Sequence, residues 1–575
     1  MEMRKIMTIA TALALCAASF GQNINPTVEV TNIYQGNPSE VHKPQTDMAI
    51  PDSLLRFDMD FYYEVFEKPY QGAYNFKPYM LAMKPDKDAY RGKSLYLRAG
   101  AGYSLHPQLD FVFSPEWNGP IQLSVFAGNR SYFGNYHSLG TVLDRESDRY
   151  KIEKVAGKGF NGYDSSSSVG FDGRFDYTGG FLTFGAGYTG LHVKDSLTTR
   201  SFNAVDFNVR ARSNRNENKY IFYDVAVSGR FGGDRMYSYH LNEGIVRLDG
   251  NVGPVLDENS RALLGFELES VSYSRMFKEN AGRVAIIPKY VFHTGQWDLS
   301  LGVKVDKLFG GSETPGTEQV GGEVLHTYRG NWLFPDVHVS FAPSGNVLLY
   351  ASATGGNKVN TYSSMLERNH FWRFMERNLD NSVENINAKV GVKGKVGNLL
   401  QFDVDGGAAV YANGVVDTYQ YPLYLLPMTI YQDYSLIYAD ALLGLTYGNL
   451  KVDAGLHFRN MAFKEDMTEG ILLPKFTCDA KAVYDVNSRV YAGMRIVASS
   501  SRNGQVLNLL SSEMSPYETV KVPGYFDLGL LAGWQFNRRL GLWMESGNLL
   551  CQTIQRNLFY AEKGLWVTAG ITYNF

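Results

Sequence analysis

The chain has 575 residues, 20% charged and 14% aromatic, with 58 Gly and a formal net charge of −3. No run of 18 or more apolar residues occurs after residue 25, which excludes a helical membrane anchor in the mature chain. The slight negative charge leaves no basic footprint for nucleic acid, and a mean hydropathy of −0.23 leaves a transmembrane barrel open, because a barrel spreads its apolar residues over every second position.

Residues 1–21 read as an export signal. Arg4 and Lys5 form a charged start, Ile6 to Ala18 an apolar stretch, and Ser19-Phe20-Gly21 a site for cleavage before Gln22. Cys16 resembles a lipobox cysteine, but Leu15 stands where that motif needs a small residue. Two cysteines remain, Cys478 and Cys551. Neither lies in a Cys or Cys/His cluster with zinc spacing, and neither is expected in a disulfide.

Residues 22–92 are punctuated by Pro26, Pro38, Pro44, Pro51, Pro69, Pro78 and Pro85. Within them Arg56 to Phe66 alternates, with Phe57, Met59, Phe61, Tyr63 and Val65 on one face. This extension is expected in the periplasm or the lumen. It could dock a periplasmic or outer-membrane protein by adding a strand, or serve as a linker packed on the barrel mouth.

From about residue 93 to the end, period-two alternation dominates. Leu450, Val452, Ala454, Leu456 and Phe458 alternate with Lys451, Asp453, Gly455, His457 and Arg459. Similar runs of about ten residues fall at 203–213, 219–231, 261–275, 296–307, 335–342, 400–408, 475–482 and 488–498. Short connections at 343–345, 394–398, 447–449, 486–488 and 536–538 alternate with long ones near 131–164, 308–330, 355–383, 413–431, 461–474, 500–522 and 550–562. Short periplasmic turns and long outer loops mark an outer-membrane barrel. The expectation is an all-β, antiparallel transmembrane barrel of roughly 22 strands, a smaller even number also fitting the pattern, in a Gram-negative-type envelope.

The 38 Tyr and 34 Phe suit interfacial girdles. Tyr419, Tyr421, Tyr424 and Tyr431 are expected in a loop, as packing or as a sugar-stacking platform. Gly185 to Gly190 reads G-x-G-x-x-G, but it lies inside a strand pattern with no helix after it, so nucleotide binding is not expected. There is no G-x-S-x-G and no HExxH, so neither catalytic residues, nor a metal site, nor a cofactor is expected. His457, between Asp453 and Arg459 on the lumen face, is expected as a solvated histidine that could join a polar network, and Asp403, Asp405 and Asp453 as lumen charges. Residues 366–378 mix Arg368, Arg373 and Arg377 with Phe371, Trp372 and Phe374. They read as a short helix or compact cap over the lumen, or as an arginine contact to lipopolysaccharide phosphate.

The last strand, Leu565 to Phe575, places Leu565, Val567, Ala569, Ile571, Tyr573 and Phe575 on one face. That face is expected against lipid. Tyr573 and Phe575 resemble the C-terminal signal by which the barrel assembly machinery recognises its clients.

Three stretches resemble the barrel of TonB-dependent receptors. Leu333 to Gly356 is similar to one strand pair of that family. Asn378, Leu379, Glu384, Asn385, Gly391 and Lys393 fall on the pattern that follows it. Phe536 to Leu540, then Asn548 and Leu549, then Phe575 match its ending. The resemblance covers about residues 283–575 well and implies the barrel. It does not extend to the plug or the TonB box, neither of which is found in residues 22–92. The implied function is transport across the outer membrane, as a divergent receptor or a plug-less relative. The alternative is a non-transporting barrel that scaffolds an outer-membrane complex, and an enzyme is not expected. Partners would be outer-membrane lipid, lipopolysaccharide and the barrel assembly machinery.

Overall fold

The computed structural model describes residues 95–575, apart from 104, 116–118, 145–148, 197–198, 215–219, 237–238, 312–324, 375–378, 422–425, 465–469, 488, 509–516 and 538. The export signal, the extension 22–92 and the alternating stretch 56–66 lie outside the described residues.

Twenty-four strands form one sheet, and 22 of them close into an antiparallel barrel. Closure joins the first strand, Leu95–Tyr103, to the last, Trp566–Asn574, in a register running from Tyr96↔Asn574 to Tyr103↔Val567. Leu95 and Phe575 exchange both backbone bonds, at 2.9 and 3.0 Å. The C-terminus is therefore held in the wall, at the end that carries the short turns. By the barrel rule that end is periplasmic.

The faces sort as the alternation requires. Val169, Val205, Phe231, Leu264, Ile286, Val390, Ile437, Leu530 and Ile571 stand exposed on the outside, where lipid rather than water covers them. Charged groups fill the inner face. Arg283 reaches Glu267 at 2.7 Å, Asp306 at 3.2 Å and Glu269 at 3.4 Å, and Lys304 reaches Glu267 at 3.0 Å. Among the described residues no helix is long and apolar enough to cross a membrane. This is an outer-membrane architecture.

Two expected loops are strands instead. The stretch 131–164 belongs to the hairpin Ile121–Asp144 and Arg149–Tyr177, of 24 and 29 residues. The stretch 413–431 belongs to Leu400–Tyr421 and Leu426–Tyr447, of 22 residues each. Both far exceed the roughly 9–11 residues that cross a bilayer, so their outer ends rise clear of it. Reading strands in units of ten hid them, because polar residues on both faces mark a strand that has left the lipid.

The remaining two strands, Arg502–Asn508 and Tyr517–Val522, form a hairpin outside the ring. Its edges pair in parallel with the two long hairpins: Val520↔Tyr150 and Lys521↔Lys151 on one side, Leu507↔Gln420 and Asn508↔Tyr421 on the other. Strands Arg149–Tyr177 and Leu400–Tyr421 have ten ring strands between them in either direction. The hairpin thus completes a sheet that crosses the outer mouth along a diameter.

Candidate functional site

The crossing sheet is a roof with its own apolar core. Leu139, Ile152, Val506, Val520 and Val522 pack with Tyr419 and Ile471, and Leu558, Phe559 and Ala561 join them from below. Burial of such a cluster is the main term that holds three hairpins together.

Two connections fold inward beneath the roof. The first leaves strand Val347–Val359, forms a short helix, Tyr362–Arg368, and returns to strand Asn381–Val396. Thr361 caps the helix in a capping box with Ser364. The Glu243 carboxylate, from the wall, accepts from the backbone amides of Tyr362 at 2.6 Å and Ser363 at 3.0 Å. A carboxylate at a helix start satisfies orphan donors and meets the positive end of the dipole. Arg230 holds Glu367 at 2.6 Å, Arg368 holds Asp417 at 3.0 Å and Arg373 holds Asp195 at 2.8 Å. Tyr362 donates to Asp234, which also accepts from Arg200. Trp372 and Phe374 are buried in the apolar cluster under this strap.

The second inward connection runs between strands Leu540–Gly547 and Trp566–Asn574. Tyr560 donates to Asp195 at 3.1 Å, so one carboxylate ties both connections to the wall. Arg556 holds Glu562 at 2.7 Å, and the Leu558 amide donates to the Tyr419 hydroxyl. Lys563 donates to the His106 imidazole at 2.7 Å and lies 4.3 Å from the centre of the Trp566 ring. Burial and then the Lys563 charge push His106 down to about 3, so it is neutral. Burial raises Glu562 and lowers Lys563.

Wall, strap and roof line a cavity of about 310 Å³. Hydroxyls of Ser131, Ser166, Thr189 and Thr477 line it beside the pairs Arg230–Glu367 and Arg368–Asp417 and the rings of Tyr132 and Phe371. Gln555 also lines it, 3% exposed, and its Oε1 has no hydrogen-bond partner. The size falls at the lower end of small-molecule sites.

No protein-family model and no curated protein matches the sequence. Solved structures do match. The FrpB iron transporter from Neisseria meningitidis superposes with a TM-score of 0.62 at 10% identity, over 85% of this chain and 82% of that one. The siderophore receptor PiuA from Acinetobacter baumannii gives 0.59 at 10% identity, over 85% and 82%. The copper transporter OprC gives 0.57 at 11%, over 84% and 80%. The fold is that of TonB-dependent receptor barrels. At such identity the likeness establishes this fold alone; the neighbours are transport receptors, not enzymes.

The receptor-like motif positions do structural work at the outer ends of strands. Leu379 is fully buried under the strap, and its carbonyl accepts from the His326 amide. Glu384 accepts from the Tyr411 hydroxyl at 2.8 Å. Asn548, at φ +49°, donates its amide to Asp527 and closes a turn on Gln552, while the Leu549 amide donates to the Leu528 carbonyl. Gly391 lies under the Tyr350 ring, where a Cβ would stand 2.4 Å from Cζ. Asn378 lies outside the described residues. Tyr573 sits opposite Leu97 in the closing register, and Phe575 is exposed with Arg539 over its ring at 4.8 Å.

Other expectations are redrawn. Residues 366–374 lie in the inward strap, whose helix begins earlier, at Tyr362, and 375–378 lie outside the described residues. Arg368 and Arg373 face lumen carboxylates rather than lipopolysaccharide; Arg377 lies outside the described residues. His457 is bonded rather than simply solvated, to Asp440 at 2.5 Å and Asp479 at 3.4 Å, and Arg459 shares Asp440. Asp403 and Asp405 both accept from Tyr350. Tyr419 packs in the roof core as the packing reading expected, its hydroxyl accepts from the Leu558 amide, and it also lines the cavity. The G-x-G-x-x-G run lies within strand Gly180–Lys194. Cys478 and Cys551 are free. Sequence reading missed Asp195, Glu243 and Gln555. Glu243 alone carried a signal, an acid on the inward face of an alternating run.

Proposed function

We propose that this chain is a receptor-type transport barrel of the outer membrane whose substrate passes through the roofed cavity. The observation that carries this reading is the cavity itself. It lies inside a receptor-type barrel, directly beneath the outer mouth, and both inward connections contribute to its polar lining. A site of this kind holds a solute between the outer surface and the lumen. In this reading residues 1–21 export the chain, residues 22–92 act on the periplasmic or luminal side, and Tyr573 and Phe575 present the chain to the barrel assembly machinery.

The test is a strain lacking the chain, grown on limiting amounts of iron chelates, copper, vitamins and oligosaccharides in turn. Transport predicts a growth defect confined to one nutrient class, restored by the intact gene. No defect on any class would sink the reading.

One observation favours a second reading, a scaffold. The apolar core of the roof and the ion pairs of the strap give the outer end the build of a fixed plate. A scaffold predicts a stoichiometric outer-membrane partner that co-purifies in mild detergent and is lost when residues 22–92 are deleted.

A further inference from the structure

A cation interrupts the apolar outer face of strand Trp297–Gly310. Its odd positions point outward, and Trp297, Leu301, Val303, Val305 and Phe309 are all exposed. The even positions Lys304 and Asp306 turn inward, to Glu267 and Arg283. Lys307 shares the outward face and is exposed. Around it stand Val284, its partner across the ladder, and Trp332 and Leu333, all exposed. Among the described residues its ammonium has no carboxylate partner. An ammonium on a lipid-facing wall is costly unless it reaches the interface or meets an anion.

Its height shows what it meets. Trp297 lies beside the short turn at 295–296 and packs on Phe341, with ring centres 4.5 Å apart, as an aromatic of the periplasmic girdle. Lys307 stands ten residues further along the same strand. At about 3.3 Å per residue and a tilt near 45° that is a rise of about 23 Å, against an apolar band about 25 Å tall. Lys307 is therefore at the outer edge of the lipid, where phosphate groups begin. Two neighbours shape the place. The Trp332 ring centre lies 5.3 Å from the Lys307 ammonium, close enough to hold it by its face. Arg329 is exposed and donates to the Gly310 carbonyl at 2.6 Å, which fixes its guanidinium at the end of the same strand.

We propose that Lys307 and Arg329 bind a phosphate group of lipopolysaccharide in the outer leaflet, with Trp332 and Leu333 against its acyl chains. The charges are complementary, and the phospholipids of the inner leaflet lie at the other end of the strand, beside Trp297. The site is on the outside of the wall, so it serves a transporter and a scaffold alike and does not depend on the cavity. It also touches the strap. The segment that carries Arg329 and Trp332 clasps it: the Thr327 hydroxyl and the Tyr328 amide donate to Asp380, and the His326 amide donates to the Leu379 carbonyl. A bound lipid holds that clasp from outside.

The experiment places the full chain in phosphatidylcholine vesicles that carry a minor fraction of rough lipopolysaccharide. The barrel is re-extracted in mild detergent, and the lipid that stays with it is counted by native mass spectrometry. Heat-modifiable migration reports the folded barrel in each variant. Retention is expected to fall about fivefold for Lys307→Gln and about fivefold again when Arg329→Gln is added, while Lys307→Arg keeps it. Lys464→Gln is the control, an exposed lysine that already has Asp433 at 3.7 Å, and it should change nothing. Dephosphorylated lipopolysaccharide should be retained equally by the native chain and the double variant. Equal retention of the intact lipid by those two would overturn the inference, as would an equal loss in Lys464→Gln. Retention of phosphatidylglycerol as tight as that of lipopolysaccharide would also overturn it, since any anionic lipid would then suffice.

Discussion

Phe371 and Tyr560 stack with ring centres 4.2 Å apart and planes inclined by 18°. One belongs to the strap after the short helix, the other to the last inward connection. Their contact is the joint between two segments that are distant in sequence and cross the same lumen. A stacked pair contributes about 0.5–1.5 kcal/mol beyond its buried area. Phe371→Ala is expected to speed amide exchange across 361–374 and 553–562 together, with little change in the melting of the ring. Acceleration in one segment alone would show that they are not coupled.

Asp195 should matter more than the stack. It accepts from Arg373 at 2.8 Å and Tyr560 at 3.1 Å, with all three buried. Removing one member of a buried pair costs about 3–5 kcal/mol, because the other charge is left unpaired. Asp195→Asn is expected to loosen the strap by that order, read as protease sensitivity of the intact barrel. Adding Arg373→Met should recover part of the loss, since it removes the stranded charge.

Glu243 is the anchor of the strap helix. Losing a charged acceptor from two amides costs about 1.5–3 kcal/mol for each hydrogen bond. Glu243→Ala should raise amide exchange at Tyr362 and Ser363 first, and Glu243→Gln should retain part of the protection. Equal protection in both variants would place the anchoring elsewhere.

Acid should weaken the contact between His106 and Lys563. Unfolded, His106 titrates near its ordinary value of about 6.5; folded, it is pushed down to about 3. The unfolded chain thus binds the extra proton first as pH falls. The stability contributed by the neutral ring is complete above about 6.5 and is lost as pH falls toward 3, by a few kcal/mol in order of magnitude. His106→Gln should flatten this part of the stability–pH profile. An unchanged slope between pH 6.5 and 4 would refute the assignment.

Phe575 has two roles to separate. It pairs with Leu95 through its backbone and offers its ring at the periplasmic end. Phe575→Ala keeps the backbone pair but removes the ring, and Phe575→Tyr keeps both. If the ring is the insertion signal, the alanine variant alone should accumulate unfolded in the periplasm, measured as the heat-modifiable fraction.

Much of the barrel was legible because its chemistry is local. Alternation in Leu450–Phe463 is written residue by residue, and its outward Leu456 and inward Asp453 need no partner to be assigned. The short turns at 397–399 and 448–449 likewise announce themselves through glycine at positive φ, Gly397 and Gly448. The terminal strand was legible for the same reason, with Ile571 outward and Thr568 inward. The candidate site was not. His457 could be placed on the inner face from sequence, yet its partner Asp440 lies on the neighbouring strand, which sequence spacing does not reveal.

The sequence by itself determined an alternating, lipid-facing wall, its topology of short and long connections, and the face on which its charges lie. Those follow from the strand period and from the demand of lipid for apolar surface, both local constraints. Only the tertiary structure decided what covers the mouth. Closing the ring brings Tyr150 and Gln420, on opposite sides of it, within reach of one hairpin, and brings Arg373 and Tyr560 to one carboxylate. Those meetings depend on the closure of a whole barrel, which no window of sequence contains.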